Sequence, residues 1–586
     1  MSPLLLFLPL SVLLPVLAGA TQKVRQIVVN ASSPCGQLRQ EIQGSLSADS
    51  DFIFQAFDGA SDLFCDYQAE IGALFPECGI KHVLIYNFPQ VFLGWGKPGT
   101  AGDPLNNSNY NWTAADGYVN YVVSNGAKAI IQFQPDNGTN PNITSPEDLG
   151  KIAYMITDRY LNGAYDSGFS DAIELFEFYP ETDLLNSPTI ESQYQHMFAY
   201  FSNFNHGVAN ARFDAHLRVY RREADRSQVL LELGYPTKHN YSVRRTKITK
   251  QNTLHSAFRD KNGLHLQTFD PFIVQFYKDC VDRNVPIKAA TFHFVNLWFS
   301  FNPYDIKTIT DKFRNDILIP AGLPDLEIWA THSGWSTSVS PRTFSSQEAL
   351  NLYRDPQFFS AFNIGVLMYA QDTSVEHTIL YPGLSYGGWG AGGFWYQGFF
   401  NKSAEDQPIP RNVAKAWVNY INFLNRTPNR LEVSGGSSDG FAVLAGRSND
   451  THQIQVFLNN YQLDYTVPQE ILPYLNSSTL AYLPVKPDGL INGDQVCFAD
   501  GNQLFLFPSC VTFAPVSQRN NTSNTYRLRV SDLPWNSTTR YYIDILRVGG
   551  SNATTLEFTR EGQGSNLDIT LDFPANAQDL ITITKA

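Results

Sequence analysis

After its first twenty residues the chain has no uninterrupted apolar run long enough to cross a bilayer as a helix, so an ordinary helical membrane protein is not expected. Charge is scarce as well: 17% of the 586 residues are charged, and the excess is acidic, with a net charge of −13. A surface of that sign repels nucleic acid and anionic lipid, so neither is an expected partner. The six cysteines lack the spacing of a zinc or redox motif. No Ser-His-Asp arrangement has sequence support. Gly387-Gly388-Trp389-Gly390 has no lysine and no P-loop spacing, so it reads as a loop rim and not a phosphate cradle. No cluster of metal ligands stands out. Neither a metal nor another cofactor is expected.

Aromatic residues are plentiful. The 41 Phe, 29 Tyr and 9 Trp supply a large core, and a minority of them suits a carbohydrate site, where ring faces stack on sugars. Met1 to Ala20 is apolar and ends in Ala18-Gly19-Ala20, a pattern suited to signal peptidase, although it has no basic start. Pro9 and Pro15 argue against a membrane anchor there. Sequons for N-linked glycans are spread along the chain, among them Asn30, Asn111, Asn137, Asn142, Asn240, Asn401, Asn425, Asn449, Asn476, Asn536 and Asn552. Together these features predict a secreted glycoprotein with an extracellular destination, the cell wall included. Six cysteines fit an oxidising compartment. Cys497 and Cys510 flank an expected hairpin and form the favoured disulfide. Cys35, Cys65, Cys78 and Cys280 leave three pairings open, and Cys280 also reads as a buried thiol on a helix.

Short apolar strands alternate with amphipathic helices through most of the chain. The expected strands are Phe52–Phe57, His82–Tyr86, Ala129–Gln134, Ile173–Phe178, Val229–Leu233, Ile287–Phe294, Leu326–Thr331 and Val375–Tyr381. Between the third and fourth, Ser145 reads as an N-cap, Pro146 as the first helical residue and Asp148 as a first-turn acid. Its buried stripe is Leu149, Ile152, Ile156 and Tyr160. A second Ser-Pro start at Ser187-Pro188 leads into a stripe of Tyr194, Phe198, Phe201 and Phe204. Asn412–Leu424 is a closing helix. Eight such alternations predict an α/β protein with a (β/α)₈ TIM barrel. From about Arg430 the pattern changes to short alternating strands split by Gly, Asn, Asp and Pro, which predicts a C-terminal β-sandwich. The expected divisions are a signal segment 1–20, an N-terminal strand segment 21–50, a barrel 51–428 and a sandwich 429–586.

The stretch Ala172–Asp183, A-I-E-L-F-E-F-Y-P-E-T-D, is a buried strand that Pro180 terminates. Its F-E-F-Y-P-E-T-D resembles the F-E-x-W-N-E-P-[DN] strand-four motif of the large (β/α)₈ glycosidase clan. The similarity is greatest to family 39, which holds β-xylosidases and α-L-iduronidases. Pro180 and Thr182 replace the motif's Asn and Pro. The resemblance implies a glycoside hydrolase acting on a polysaccharide or glycan, with Glu181 as general acid/base and Glu177 in a supporting role. It also implies that the N-terminal strand Val24–Val29 joins the C-terminal module, entered at Asn429–Ser434. Family members end strand seven in I-x-[TN]-E-[WF], whose Glu is the nucleophile; here Ile328–Thr337 reads I-W-A-T-H-S-G-W-S-T, and His332 takes that place.

A histidine does not readily form a glycosyl ester, but an ordinary imidazole pKa of about 6.5 suits a general base for water. His332 therefore reads either as such a base or as a neutral residue of a site that only binds sugar. Other carboxylates lack motif support: Glu327, Asp325 and Glu376 sit at strand starts, and Asp58, Asp136, Asp183 and Asp372 at rims or loops. His293 matches a strand-six His of the family, and Asn87 stands where relatives often carry His. Tyr179, Trp298, Trp335, Trp389 and Trp395 are sugar-stacking candidates. The competing expectation is a catalytically inactive carbohydrate-binding protein on the same scaffold.

Overall fold

A computed structural model describes residues 24–42, 45–48, 72–73, 75–85, 102–110, 112–133, 145–178, 195, 198–212, 247–252, 256–260, 263–267, 273–285, 287–295, 302–334, 356–384, 400–402, 408–410, 412–463, 495–496, 511–512, 524–549 and 556–586. The first strand, β1 (Val24–Gln37), belongs to the C-terminal sheet. Then come β2 (Ser45–Ala48), β3 (His82–Ile85), β4 (Lys128–Phe133), β5 (Ile173–Phe178) and β6 (Lys247–Asn252). A separate ribbon, β7 (Ser256–Asp260) and β8 (Gly263–Gln267), precedes β9 (Ala289–Val295), β10 (Glu327–Gly334) and β11 (Val375–Leu384). Strands β2–β6 and β9–β11 close a barrel in the order β10-β11-β2-β3-β4-β5-β6-β9, with every pair parallel.

The expected strands coincide with barrel strands at six places, and Ile173–Phe178 coincides residue for residue. Two places differ. The first barrel strand is Ser45–Ala48, upstream of the expected start at 51, while Phe52–Phe57 lies outside the described residues. The slot between β5 and β9 is filled by Lys247–Asn252, and Val229–Leu233 lies outside the described residues. K-I-T-K-Q-N has one strongly apolar side chain, so hydrophobic pattern alone passes over it.

Helices alternate with the strands: α1 (Trp112–Ser124), α2 (Pro146–Asn162), α3 (residues 198–212), α4 (Ile273–Asp282), α5 (Asp305–Lys312), α6 (Pro356–Ala370) and α7 (Asn412–Arg426). The Ser145 side chain accepts from Asp148 N at the start of α2, and Gly163, at φ 71°, caps its end in the left-handed region where a Cβ is unfavourable. Leu149, Ile152, Ile156 and Tyr160 are buried as the spacing requires. Gly150 and Gly207 let α2 and α3 approach so closely that a Cβ on Gly207 would lie 1.9 Å from Gly150 O. Among the described residues no helix is long and apolar enough to cross a membrane.

Two short ribbons, β12 (Phe400–Lys402) with β13 (Pro408–Pro410) and β17 (Gln495–Val496) with β18 (Val511–Thr512), stand apart from the main sheets. The remaining strands are β14 (Asn429–Ser434), β15 (Phe441–Arg447), β16 (Gln453–Asn460), β19 (Asn524–Ser531), β20 (Arg540–Val548), β21 (Leu556–Gln563), β22 (Leu567–Phe573) and β23 (Gln578–Lys585). With β1 they make one nine-stranded sheet, β21-β20-β23-β16-β15-β14-β1-β19-β22. Tyr541 and Ile543 of β20 share a core with Leu528 of β19 and Ile569 of β22, near the opposite end of that order. The sheet therefore folds over on itself, as a sandwich does. As expected, β1 enters this module, antiparallel to β14 and parallel to β19.

Barrel and sandwich share one apolar core. Phe362 of α6 packs edge-on to Tyr461, and Tyr420 and Phe423 of α7 pack on Phe457. Arg39, just after β1, donates to the carbonyls of Ala370, Thr373 and Val375, which satisfies groups at and beyond the C-terminus of α6.

Within the sandwich, Arg547 of β20 makes two 2.6 Å bonds to buried Asp579 of β23, and Tyr526 of β19 donates to the same carboxylate at 2.9 Å. This triad joins the two layers. Removing only the cation strands a carboxylate in the core, so Arg547→Met should cost about 3–5 kcal/mol in denaturant unfolding, and adding Asp579→Leu should restore part of it. A loss below about 1 kcal/mol would mean that the pair is dispensable.

Cys35 and Cys78 are free thiols, Cys35 exposed and Cys78 buried, and Cys280 is buried as well. Of the open pairings, the one that links Cys35 to Cys78 is therefore not formed, and Cys65 lies outside the described residues. Burial, reinforced by neighbouring Glu77, pushes the Cys78 thiol up to about 12. Cys497 and Cys510 lie outside the described residues, but β17 and β18 pair Val496 with Val511. In sequence, Cys497 directly follows the one valine and Cys510 directly precedes the other. We expect non-reducing peptide mapping to recover them linked, with a contribution of about 3 kcal/mol for a loop of this size. Recovery of either as a free thiol would refute the pairing.

Candidate active site

Side chains alternate in and out along each barrel strand, so residues two apart fill successive interior tiers. Leu84, Ile130, Leu175, Ala289, Trp329 and Ile379 make a central apolar tier. Two residues toward the C-terminal ends come Gln132, Glu177, Thr291 and Thr331, on β4, β5, β9 and β10, all fully or almost fully buried. Two residues the other way come His82, Glu327 and His377. There the rings of His82 and His377 lie 4.9 Å apart and that of Trp329 packs on both. Ser45 Oγ is 2.9 Å from His82 Nδ1, and Glu327 takes hydrogen bonds from Trp329 and an ion pair from Lys288. The barrel is thus a filled column, with polar tiers at both ends of an apolar middle.

The tier at the C-terminal side faces the edge where barrels of this kind place chemistry. Glu177 Oε2 accepts from Gln132 Nε2 at 2.9 Å, while Oε1 has no hydrogen-bond partner. The Thr291 and Thr331 hydroxyls are buried and equally without a well-formed bond. Burial drives the Glu177 pKa upward; Gln132, Thr331 and Thr291, all close to the carboxylate, pull it back only in part. No cation pairs with it among the described residues. Glu177 is closed off from solvent, so it lies beneath the rim instead of lining a cleft as a sugar-binding residue would.

Above this tier the strands run out. β5 ends at Phe178, three residues short of Glu181. β10 continues through His332 to Gly334, three residues past the expected end at Thr331. Its register with β9 slips between Ala330 and His332, where β10 holds one extra residue, and its register with β11 slips between Ala330 and Ser333. This bulge at Thr331 brings His332 into backbone register with His293. Two histidine positions of the sequence reading therefore meet on adjacent strands at the C-terminal rim. Asn87, Asp136, Tyr179, Glu181, Trp298, Trp335, Trp389 and Trp395 lie outside the described residues, as do Asp58 and Asp183.

The alternative carboxylates that are described stand away from the rim. Glu327 is held by Lys288, Glu376 lies 3.3 Å from Arg39, and Asp372 pairs with Arg430 at 2.6 Å. Gln132, Thr291 and Thr331 escaped the sequence reading. The available signal was a polar residue two places beyond an apolar interior residue on three separate strands, the positions flanking Glu177 in the closed barrel.

No protein-family model matches the chain, and no curated protein sequence matches it. Solved structures do match. A glucosidase from Croceicoccus marinus aligns over 96% of this chain and 100% of its own, with TM-score 0.63 and 19% identity. A GH39 enzyme from Xanthomonas axonopodis pv. citri covers 98% and 100%, with TM-score 0.54 and 12% identity. A GH39 β-xylosidase from Caulobacter crescentus covers 96% and 100%, with TM-score 0.52 and 12% identity. At these identities the likeness is one of fold: a TIM barrel followed by a C-terminal β-domain.

Proposed function

We propose that the protein is a secreted glycoside hydrolase acting on a polysaccharide or glycan, with Glu181 as general acid. One observation carries the reading: a buried carboxylate tier around Glu177 lies beneath the end of β5, four residues before Glu181. The fold likeness to glycosidases supports it, and function is argued from the site. In this mechanism the Glu181 carboxyl gives its proton to the glycosidic oxygen as the bond from the anomeric carbon breaks. Water attacks that carbon from the opposite face, and His332 removes the water proton. A reaction with water as the direct nucleophile inverts the anomeric configuration and needs a separation of about 6.5–9.5 Å between acid and base. Asn30, Asn106 and Asn536, each in an N-x-S/T sequon, accept hydrogen bonds from the amide and hydroxyl two residues on. These local turns stand at the surface, which fits N-glycosylation during secretion. A fall in intact mass after enzymatic deglycosylation tests that part.

One observation favours a second reading, a carbohydrate-binding protein on the same scaffold: the aligned nucleophile position is His332 and not a carboxylate. A single set of measurements separates the two. The parent, Glu181→Gln and His332→Glu are assayed on a glycan panel for binding and for reducing-end release. For an enzyme, Glu181→Gln should lower turnover about 10²- to 10⁴-fold while leaving binding intact, with good leaving groups spared. His332→Glu should lower the rate and shift the pH profile. For a binding protein the parent releases nothing, and His332→Glu should gain weak retaining activity, since two carboxylates tend to keep one protonated. A parent that is active and indifferent to both changes would overturn the assigned roles.

A further inference from the structure

Glu177 is a buried titratable group beneath the rim that this mechanism leaves unused. The groups that act on it are neutral: Gln132 on β4, Thr291 on β9 and Thr331 on β10. On β6, the other neighbour of β5, Thr249 stands opposite Glu177, with Lys247 opposite Leu175 and Lys250 opposite Phe178. The nearest titratable residue in sequence is Glu174, which pairs with Lys128, followed by Glu181, while His293 and His332 come just after Thr291 and Thr331. An ionised carboxylate so enclosed, with one amide donor and no cation among the described residues, carries a large desolvation cost. Three oxygens of this tier lack partners: Glu177 Oε1, Thr291 Oγ1 and Thr331 Oγ1. One proton on Oε1 removes the charge and turns an unmatched acceptor into a donor to a threonine oxygen. Thr331 is the extra residue of the β10 bulge, and that bulge sets His332 against His293.

We infer that Glu177 is a positioning residue, a neutral carboxylic acid that pins the Thr331 bulge and thereby fixes residue 332 at the rim. The inference deepens the proposed hydrolase reading, yet its first test does not depend on turnover. A group whose folded pKa is raised stabilises fully below the ordinary carboxylate range, and that stabilisation fades as pH rises toward the raised value. Glu177→Gln does not titrate. The melting temperature of the parent minus that of Glu177→Gln should therefore decline as pH rises from about 4.3 upward.

The positioning role is read with Glu177→Gln, Glu177→Leu and Thr331→Val. Histidine-labelled NMR should show the His332 imidazole pKa and shifts altered in Glu177→Leu and Thr331→Val, and returned to parental values in Glu177→Gln, whose amide can still donate. If a glycoside is cleaved, the two disruptive changes should lower kcat by about 10- to 100-fold with less effect on KM, and Glu177→Gln should recover most of the loss. A melting difference that grows with pH would show an ionised Glu177. Glu177→Gln matching Glu177→Leu in the His332 signals, or His332 signals unmoved in both disruptive variants, would overturn the positioning role. If the parent cleaves nothing, the hydrolase reading alone falls, while the melting and NMR outcomes still decide this inference.

Discussion

The apolar contact between helices α6 and α7 and the C-terminal sheet is the constraint on which the rest of the molecule leans. A barrel helix normally buries one stripe against its strands and shows the other to water. Here α6 carries Phe359, Phe362, Ile364, Val366, Leu367 and Met368, all buried, because a second partner covers its outer side. Buried polar groups follow the same seam: Asn459 Nδ2 donates to Ala361 O, and Ser360 Oγ donates to Gln578 Oε1. Barrel and sandwich are thus two topologies around one continuous interior. The sheet supports the barrel wall that contains β10 and β11, and β10 carries the bulge at the candidate site.

Polar residues in the barrel interior follow a division of labour along its axis. At the N-terminal end the His82, Trp329 and His377 rings, with Ser45 and the Glu327–Lys288 pair, close the column and fit a role in stability. At the C-terminal end a carboxylate is buried with one good donor and several unmatched hydroxyls. Incomplete satisfaction of this kind is costly, and it collects where a site needs a defined but adjustable floor. The two ends differ in chemistry although the strands run through both.

Much of this was legible in the residues because the responsible forces act locally. Ser145-Pro146 with Asp148 announced α2, since a cap, a fixed φ and a first-turn acid each act within one turn. Ile173–Phe178 was legible because Pro180 ends a short apolar run. Lys247–Asn252 was not, because its place is set by the two neighbours it pairs with and not by its own pattern. At the candidate site, Glu181 and His332 could be named from a motif. The Gln132, Thr291 and Thr331 tier could not, since it exists only once four strands are brought side by side. The bulge that brings His332 level with His293 is likewise a property of pairing.

The position of β1 has a consequence for how the chain is made. It lies inside the C-terminal sheet, with Val28 opposite Ser434 on one side and Arg529 on the other. The ribosome releases this strand before any of the barrel, but its two partners emerge only after the barrel is complete. Until then an apolar strand with both edges unpaired must be kept from pairing elsewhere. Assembly therefore cannot proceed simply in chain order: the barrel must take shape with a loose strand ahead of it, and a module synthesised after the barrel must capture a segment synthesised before it.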